Sequence, residues 1–402
     1  MEMGSKNVLT GPKLLFPIPD VSLGRYLYQC LSSHGDKIAQ VDVVTGETRT
    51  YADVMSASLS VADFLYSRGI RSGDVVGICS ENSLDFILPV IGTLFAGAIC
   101  APLNPNYTLR ELHHAMDISK PKIMFCSEQP LENIDKILCS VGFLKDIVVF
   151  GSPVSDKHIP FRSILWNNSN NFQPFDGDCK DLAAAILCSS GTTGLSKGVM
   201  LTHRNILYTF RVMSDSRYGD MRPSDTLLML LPMFHGYMFF CQLIASMVGV
   251  KAVVLNKFEE HVFLRTIEKH KVVNMNTGQI LGPGEAGEVC FRGPGIMKGY
   301  CGNPQATAAC FDSDGFLLTG DVGYYDEDGF FYIVDRVKEL IKYKGYQVPP
   351  AELEAVLLTH STIKDAAVIA VPDHEAGELP LAFVVKQPGA RVTKDEIIKY
   401  VA

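Results

Sequence analysis

Over the first 180 residues, short apolar runs alternate with segments whose apolar residues recur at helical spacing, and few folds accept that alternation. Parallel strands joined by helical crossovers do, which predicts an α/β arrangement. Strands are expected at 38–44, 74–79, 99–103, 122–126 and 146–150, with helices at 51–67 and 83–96. Ser80-Glu81-Asn82-Ser83 offers capping chemistry for the second helix. At 402 residues the chain exceeds one compact core, so two or more domains are expected.

The run Ser189-Ser190-Gly191-Thr192-Thr193-Gly194-Leu195-Ser196-Lys197-Gly198 stands out next. Before it, 182–188 is small and apolar, the composition of a buried strand. After it, Thr202-His203-Arg204-Asn205 opens a helical pattern. Strand, Gly/Ser/Thr loop and helix together predict a phosphate cradle. Glycines let backbone N–H groups approach an anion, hydroxyls add donors, and Lys197 adds a point charge. A P-loop would place glycine directly before the lysine. Here that residue is Ser196, and the glycine follows instead. A simple linker is the bland alternative for such a run.

Composition excludes several classes. Net charge is −8 with no long basic block, so nucleic acid is not an expected partner. The 11 cysteines include no CxxC pair, and Cys79, Cys100, Cys188 and Cys290 lie in apolar runs. They read as small core residues in a reduced, intracellular compartment. The N-terminus lacks a signal-peptide core. One long uncharged run, 86–107, is broken by Pro89, Pro102 and Pro105. A buried helix followed by a strand is expected there, and no transmembrane segment.

SSGTTGLSKGVMLTHRN resembles the phosphate-binding signature of the adenylate-forming superfamily, which includes acyl-CoA synthetases, coumarate–CoA ligases and beetle luciferases. The resemblance implies a large N-terminal α/β domain of stacked sheets (1–335) and a small, incomplete α+β C-terminal domain (336–402). It implies ATP with Mg2+ and coenzyme A as cofactors and a small carboxylic acid as substrate. Ser189, Ser190, Gly191, Thr192, Thr193, Gly194 and Lys197 would hold ATP phosphates, with Lys197 also catalytic. No residue is assigned as a metal ligand, and oligomeric state is not legible.

Further along, Pro232-Met233-Phe234-His235-Gly236 follows a strand expected at 225–231. A lone histidine there is usually structural; the resemblance implies that His235 borders the acyl pocket and the CoA channel. Thr319-Gly320-Asp321 is either a turn aspartate or, by resemblance, the acceptor of both ribose hydroxyl protons. The charged stretch 335–347 could be a solvated hairpin. By resemblance it is the interdomain segment: Arg336 contacts ribose or phosphate, Lys338 lies at the hinge, and Lys342 and Gly345 belong to the thioesterification loop. Thr393-Lys394-Asp395-Glu396 is a capping box opening a last helix.

At Val273/Asn274 the chain departs from the family pattern. The expected continuation carries a glycine-rich acyl-pocket stretch and an aromatic–Gly–x–Thr–Glu motif that contacts adenine and magnesium, and neither occurs here. An internal deletion accounts for both. The family pattern also extends beyond Ala402 to a lysine that orients the carboxylate. The lineage implied is an ATP-dependent acid–CoA ligase. A catalytically inactive shortened isoform that still binds nucleotide phosphates or a partner is the alternative, and a luciferase-like oxygenase or a Walker-type phosphotransferase are others.

Overall fold

A computed structural model describes residues 14–401 apart from 152–154, 166–171, 178–179, 190–195, 216, 218–220, 257–286, 326–330, 337–340, 344–345, 349 and 374–375. The described residues divide into two compact units, Lys13–Asn276 with Gly293–Ala308, and Thr277–Arg292 with Ala309–Ala402.

In the larger unit the expected alternation appears as α1 (Leu23–His34), β1 (Ile38–Asp42), β2 (Thr48–Thr50), α2 (Tyr51–Ser67), β3 (Val75–Cys79), α3 (Ile87–Phe95), β4 (Ile99–Leu103), α4 (Leu109–Ser119), β5 (Ile123–Cys126), α5 (Glu128–Leu138) and β6 (Asp146–Val149). There follow β7 (Ile159–Pro160), α6 (Phe161–Ile164), β8 (Ala183–Ser189), β9 (Lys197–Thr202), α7 (His203–Met213), β10 (Thr226–Met229), α8 (Gly236–Val248) and β11 (Lys251–Val254). Two sheets form. The larger, completed by β13 (Gly299–Tyr300), runs β13-β9-β8-β4-β3-β5-β6-β7, and the smaller β10-β11-β1-β2. β3 pairs in parallel with both β4 and β5, so strand order reverses around it. Such reversals open a crevice at the carboxyl ends of the strands.

The main core joins α1, α2, α3, α7 and α8 with residues of both sheets, while α4 and α5 cover the other face of the larger sheet. All nine residues of α3 are buried, which is why 86–107 reads as apolar without being a membrane span. No helix among the described residues is long and apolar enough to cross a membrane. Burial pushes the thiols of Cys79, Cys100 and Cys126 above their ordinary range. Cys79 and Cys100 are core residues, as expected, whereas Cys188 and Cys290 are only half-buried.

Helix α1 reaches α3 through Gly24, where an added Cβ would collide with the Leu94 backbone carbonyl. Backbone cannot rotate away as a side chain can. Gly24→Ala is therefore expected to cost about 1–3 kcal/mol, read as a lower urea midpoint with an unchanged slope. An unchanged midpoint would refute the close approach.

Two expectations need correction. Helix α3 begins at Ile87 rather than at 83, and Phe86 at its start makes no side-chain cap bond. The Asn82 amide is committed to distant backbone groups instead. Second, a strand stands between the Ser189–Gly198 run and α7, so the loop closes a β-hairpin and does not lead into a helix. β8 pairs with this segment along its length and β13 pairs with Val199 and Met200, and that pairing makes it a strand.

The smaller unit carries β12 (Gly287–Phe291), β14 (Leu317–Tyr325) and β15 (Phe331–Arg336) in one sheet. A second sheet of β16 (Ile341–Tyr343), β17 (Tyr346–Val348), β18 (Ile363–Asp373) and β19 (Gly377–Lys386) packs with the helices Pro350–Leu358 and Lys394–Val401. The expected capping box is formed at the last helix: Thr393 N–H donates to Glu396 Oε2 at 2.7 Å, and Glu396 N–H to Thr393 Oγ1 at 3.3 Å. The 335/336 position expected as a domain boundary falls at the end of β15.

Candidate functional site

β8 runs parallel to β4, so Ser189 ends at the same carboxyl edge as Leu103, beside the strand-order reversal. There β8 turns back through the loop into β9, with Ser189 opposite Lys197 and Cys188 opposite Gly198. Of the phosphate-loop residues, Ser189, Ser196, Lys197 and Gly198 are described; Ser190, Gly191, Thr192, Thr193 and Gly194 lie outside the described residues. The Ser189 hydroxyl donates to the Lys197 carbonyl at 3.3 Å and helps close the base of the hairpin.

Ser196 is the anchor of that base. His114 on α4 bonds through Nε2 to the Ser196 carbonyl at 2.9 Å. The Ser196 hydroxyl meets the Tyr107 and Cys188 side chains. Burial raises the Tyr107 phenol and the Cys188 thiol above their ordinary ranges, and the Ser196 bond opposes the rise in each. Serine in place of the P-loop glycine thus has a tertiary use. The glycine after the lysine has one too: a Cβ at Gly198 would lie 2.7 Å from Ile118 Cγ2 and 3.0 Å from Ile186 Cγ2. Only a bare backbone fits between α4 and β8.

Lys197 is exposed. Its ammonium lies 4.7 Å from the centroid of the Tyr300 ring and meets no carboxylate among the described residues. Tyr300 is held there by β13, which pairs Tyr300 with Val199. A cation resting on an aromatic face, next to a glycine-rich loop, is arranged to receive an anion.

His235 sits directly before α8, exposed, with β-region backbone and no side-chain cap bond. The helix start packs towards β8, since a Cβ at Gly236 would lie 3.6 Å from Leu187 Cδ1. So His235 and the hairpin stand at one edge of the larger unit. In the smaller unit, Asp321 and Arg336 are register partners across β14 and β15. Gly320 has φ +75°, a left-handed conformation that glycine takes without strain. The Asp321 N–H then donates to Thr319 Oγ1 at 3.1 Å, while that hydroxyl donates to the Val289 carbonyl at 2.6 Å. Lys342 lies in β16 opposite Gln347. Lys338 and Gly345 lie outside the described residues.

With this geometry in place, the AMP-binding enzyme family matches residues 27–273, and the AMP-binding enzyme C-terminal domain matches 352–402. The chain belongs to the AMP-binding enzyme family. It is 34% identical to luciferin 4-monooxygenase of Nipponoluciola cruciata, covering 99% of this chain and 91% of that one. It is 31% identical to 4-coumarate–CoA ligase 3 of Arabidopsis thaliana, covering 96% and 88%. Its fold matches ATP-bound MatB from Rhodopseudomonas palustris with TM-score 0.81 and 25% identity, over 94% of this chain and 92% of that chain. The luciferase alignment extends over 498 positions although this chain has 402 residues, so many of the relative's positions face no residue here. The AMP-binding match stops at residue 273, where the sequence leaves the family pattern. That junction lies outside the described residues.

Sequence reasoning singled out Lys197, His235 and Asp321 by motif. It missed Tyr107, His114 and Asn82 as supports. His114 and Tyr107 carry no local signal, because what they bind lies more than 80 residues away in the chain; for His114 and Ser196 the separation is 82.

Proposed function

We propose that the β8–β9 loop binds the phosphates of ATP. The reading extends to the rest of the molecule: the chain keeps this part of a site that activates a carboxylic acid as an acyl-adenylate for transfer to coenzyme A, without completing turnover. The exposed Lys197 ammonium beside the glycine-rich loop carries this reading. The ATP-bound state of MatB and the ligase name of the Arabidopsis relative support it.

In this reading Lys197 and the N–H and hydroxyl groups of 189–194 offset charge on the phosphates. The Asp321 carboxylate accepts the ribose hydroxyl protons, and Arg336 contacts ribose or phosphate. His235 borders the bound acid. Lys338 is the hinge, and the segment from β16 to β17 that carries Lys342 and Gly345 serves thioester formation. Magnesium would arrive with ATP; the family glutamate that meets it belongs to a motif absent from this sequence.

Calorimetric titration with ATP·Mg tests the core of the proposal. A charge-assisted hydrogen bond contributes about 1.5–3 kcal/mol, so Lys197→Ala is expected to weaken binding roughly 10- to 100-fold. Equal affinity in the two proteins would remove Lys197 from the site. A second reading, complete acid–CoA ligase turnover, is favoured by the alignment of 96% of this chain with the coumarate ligase.

A further inference from the structure

The turn that carries His235 is suspended from a buried amide 151 residues before Met233 in the chain. Asn82 follows β3 and is only 5% exposed. Its Nδ2 lies 3.0 Å from the Leu231 carbonyl, 3.2 Å from the Leu255 carbonyl and 3.4 Å from the Met229 carbonyl. Two hydrogens face three acceptors, so at least one is shared. On its other side Oδ1 accepts the Met233 N–H at 2.8 Å. The amide orientation is fixed by this pattern, since an N–H faces the oxygen and carbonyls face the nitrogen.

A second buried amide completes the grip. Gln242 on α8, 3% exposed, donates from Nε2 to the Met233 carbonyl at 3.2 Å. Both backbone polar groups of Met233 are thus held by side chains, and the Met233 side chain is itself buried at 1% exposure. Two residues later the chain reaches His235, whose carbonyl accepts the Phe239 N–H at 2.9 Å and starts α8. Because Met229 ends β10 and Leu255 follows β11, Asn82 also ties the carboxyl end of β3 in the larger sheet to the carboxyl ends of two strands in the smaller one.

We infer that Asn82, assisted by Gln242, is the positioning residue for His235: it fixes the Pro232–His235 turn at the edge where the two sheets meet. Buried amides with all these partners hold a turn in one arrangement, and removal of one leaves backbone groups buried without partners. The inference uses the proposed function only to give His235 a neighbour in the bound acid.

The test follows Met233 amide exchange and the His235 Cε1–H signal by NMR in the 402-residue chain. Asn82→Ala is expected to speed Met233 exchange roughly 10- to 100-fold beyond the change in global stability and to move the His235 signal. Asn82→Asp keeps an acceptor for the Met233 N–H but turns oxygen towards the carbonyls; it is expected to spare Met233 protection and still move His235. Gln242→Leu, which leaves Asn82 intact, is expected to move His235 by less, and it decides the matter if both Asn82 variants unfold. Val61→Ala, a core truncation between α2 and α3, is the control and should leave His235 in place. A His235 signal unmoved in the folded variants, or moved as far by Val61→Ala, would overturn the inference. ATP affinity is measured on the same samples: failure of the unsubstituted chain to bind sinks the proposed function alone, because the Met233 and His235 readouts do not depend on nucleotide.

Discussion

Acid-dependent pyrophosphate release from the 402-residue chain is expected to be at least about 10²–10³-fold below that of a relative whose alignment has no interruption, which is the cost of losing one preorganised charge stabiliser. The reason lies between Val273 and Asn274. The AMP-binding match ends there, and neither the adenine-contacting motif nor its magnesium-binding glutamate occurs in the sequence. Two losses need not multiply, because groups that act as a unit are non-additive. Under the proposed function, Lys197, Asp321, Arg336 and Lys342 would hold parts of a nucleotide without aligning a carboxylate for attack. The assay offers a panel of fatty and aryl acids, with and without coenzyme A. Acid-dependent release abolished by Lys342→Ala or Asp321→Ala would restore the ligase reading. Release indifferent to both substitutions would point to a contaminant.

The second large effect concerns acid. His203 opens α7, is fully buried, and accepts the Leu23 N–H on Nδ1 at 3.1 Å, which keeps that nitrogen unprotonated. Burial lowers its pKa from 6.5 to about 4. The folded chain therefore resists the proton that an unfolded chain accepts. The stability this ring contributes is whole above pH 6.5 and is lost as pH falls from there through about 4. The full loss is on the order of 3 kcal/mol, a large share of a typical domain's stability. His34, whose pKa burial also lowers, adds in the same direction. Urea midpoints are to be measured from pH 7 to pH 4 in the unsubstituted chain and in His203→Gln, whose amide oxygen can still accept from Leu23. The difference between the two proteins is expected to shrink with falling pH. Parallel curves would show that His203 does not titrate in this window.

Which parts of the molecule could be read in advance follows from the range of the interactions involved. Helix α2 was expected at 51–67 and occupies Tyr51–Ser67, because its capping box joins Thr50 to Asp53 three residues away. β4 was expected at 99–103 and occupies Ile99–Leu103, an apolar run with a glycine turn before it and Pro105 after. The last helix is set by Thr393 and Glu396 in the same way. Such bonds close within one turn of chain, so the residues that make them are neighbours in any reading. The phosphate loop, His235 and Asp321 were singled out for another reason, separate stretches that resemble motifs of the adenylate-forming superfamily, and their roles belong to the proposed function.

Local chemistry alone could not settle the rest. Ser80–Ser83 has capping residues, yet Asn82 bonds to Leu231, 149 residues away, and the helix starts later. Residues 197–202 lie next to a helix start, yet two partner strands make them β9. Ser196 differs from a P-loop glycine in its hydroxyl, which meets the distant Tyr107 and Cys188 side chains. The sequence by itself therefore determined the α/β order, the capping boxes at Thr50 and Thr393 and the residue types singled out for the site. Tertiary structure decided which polar groups face one another across the carboxyl edges of the sheets, because a buried amide or carbonyl takes whichever partner the packing brings to it.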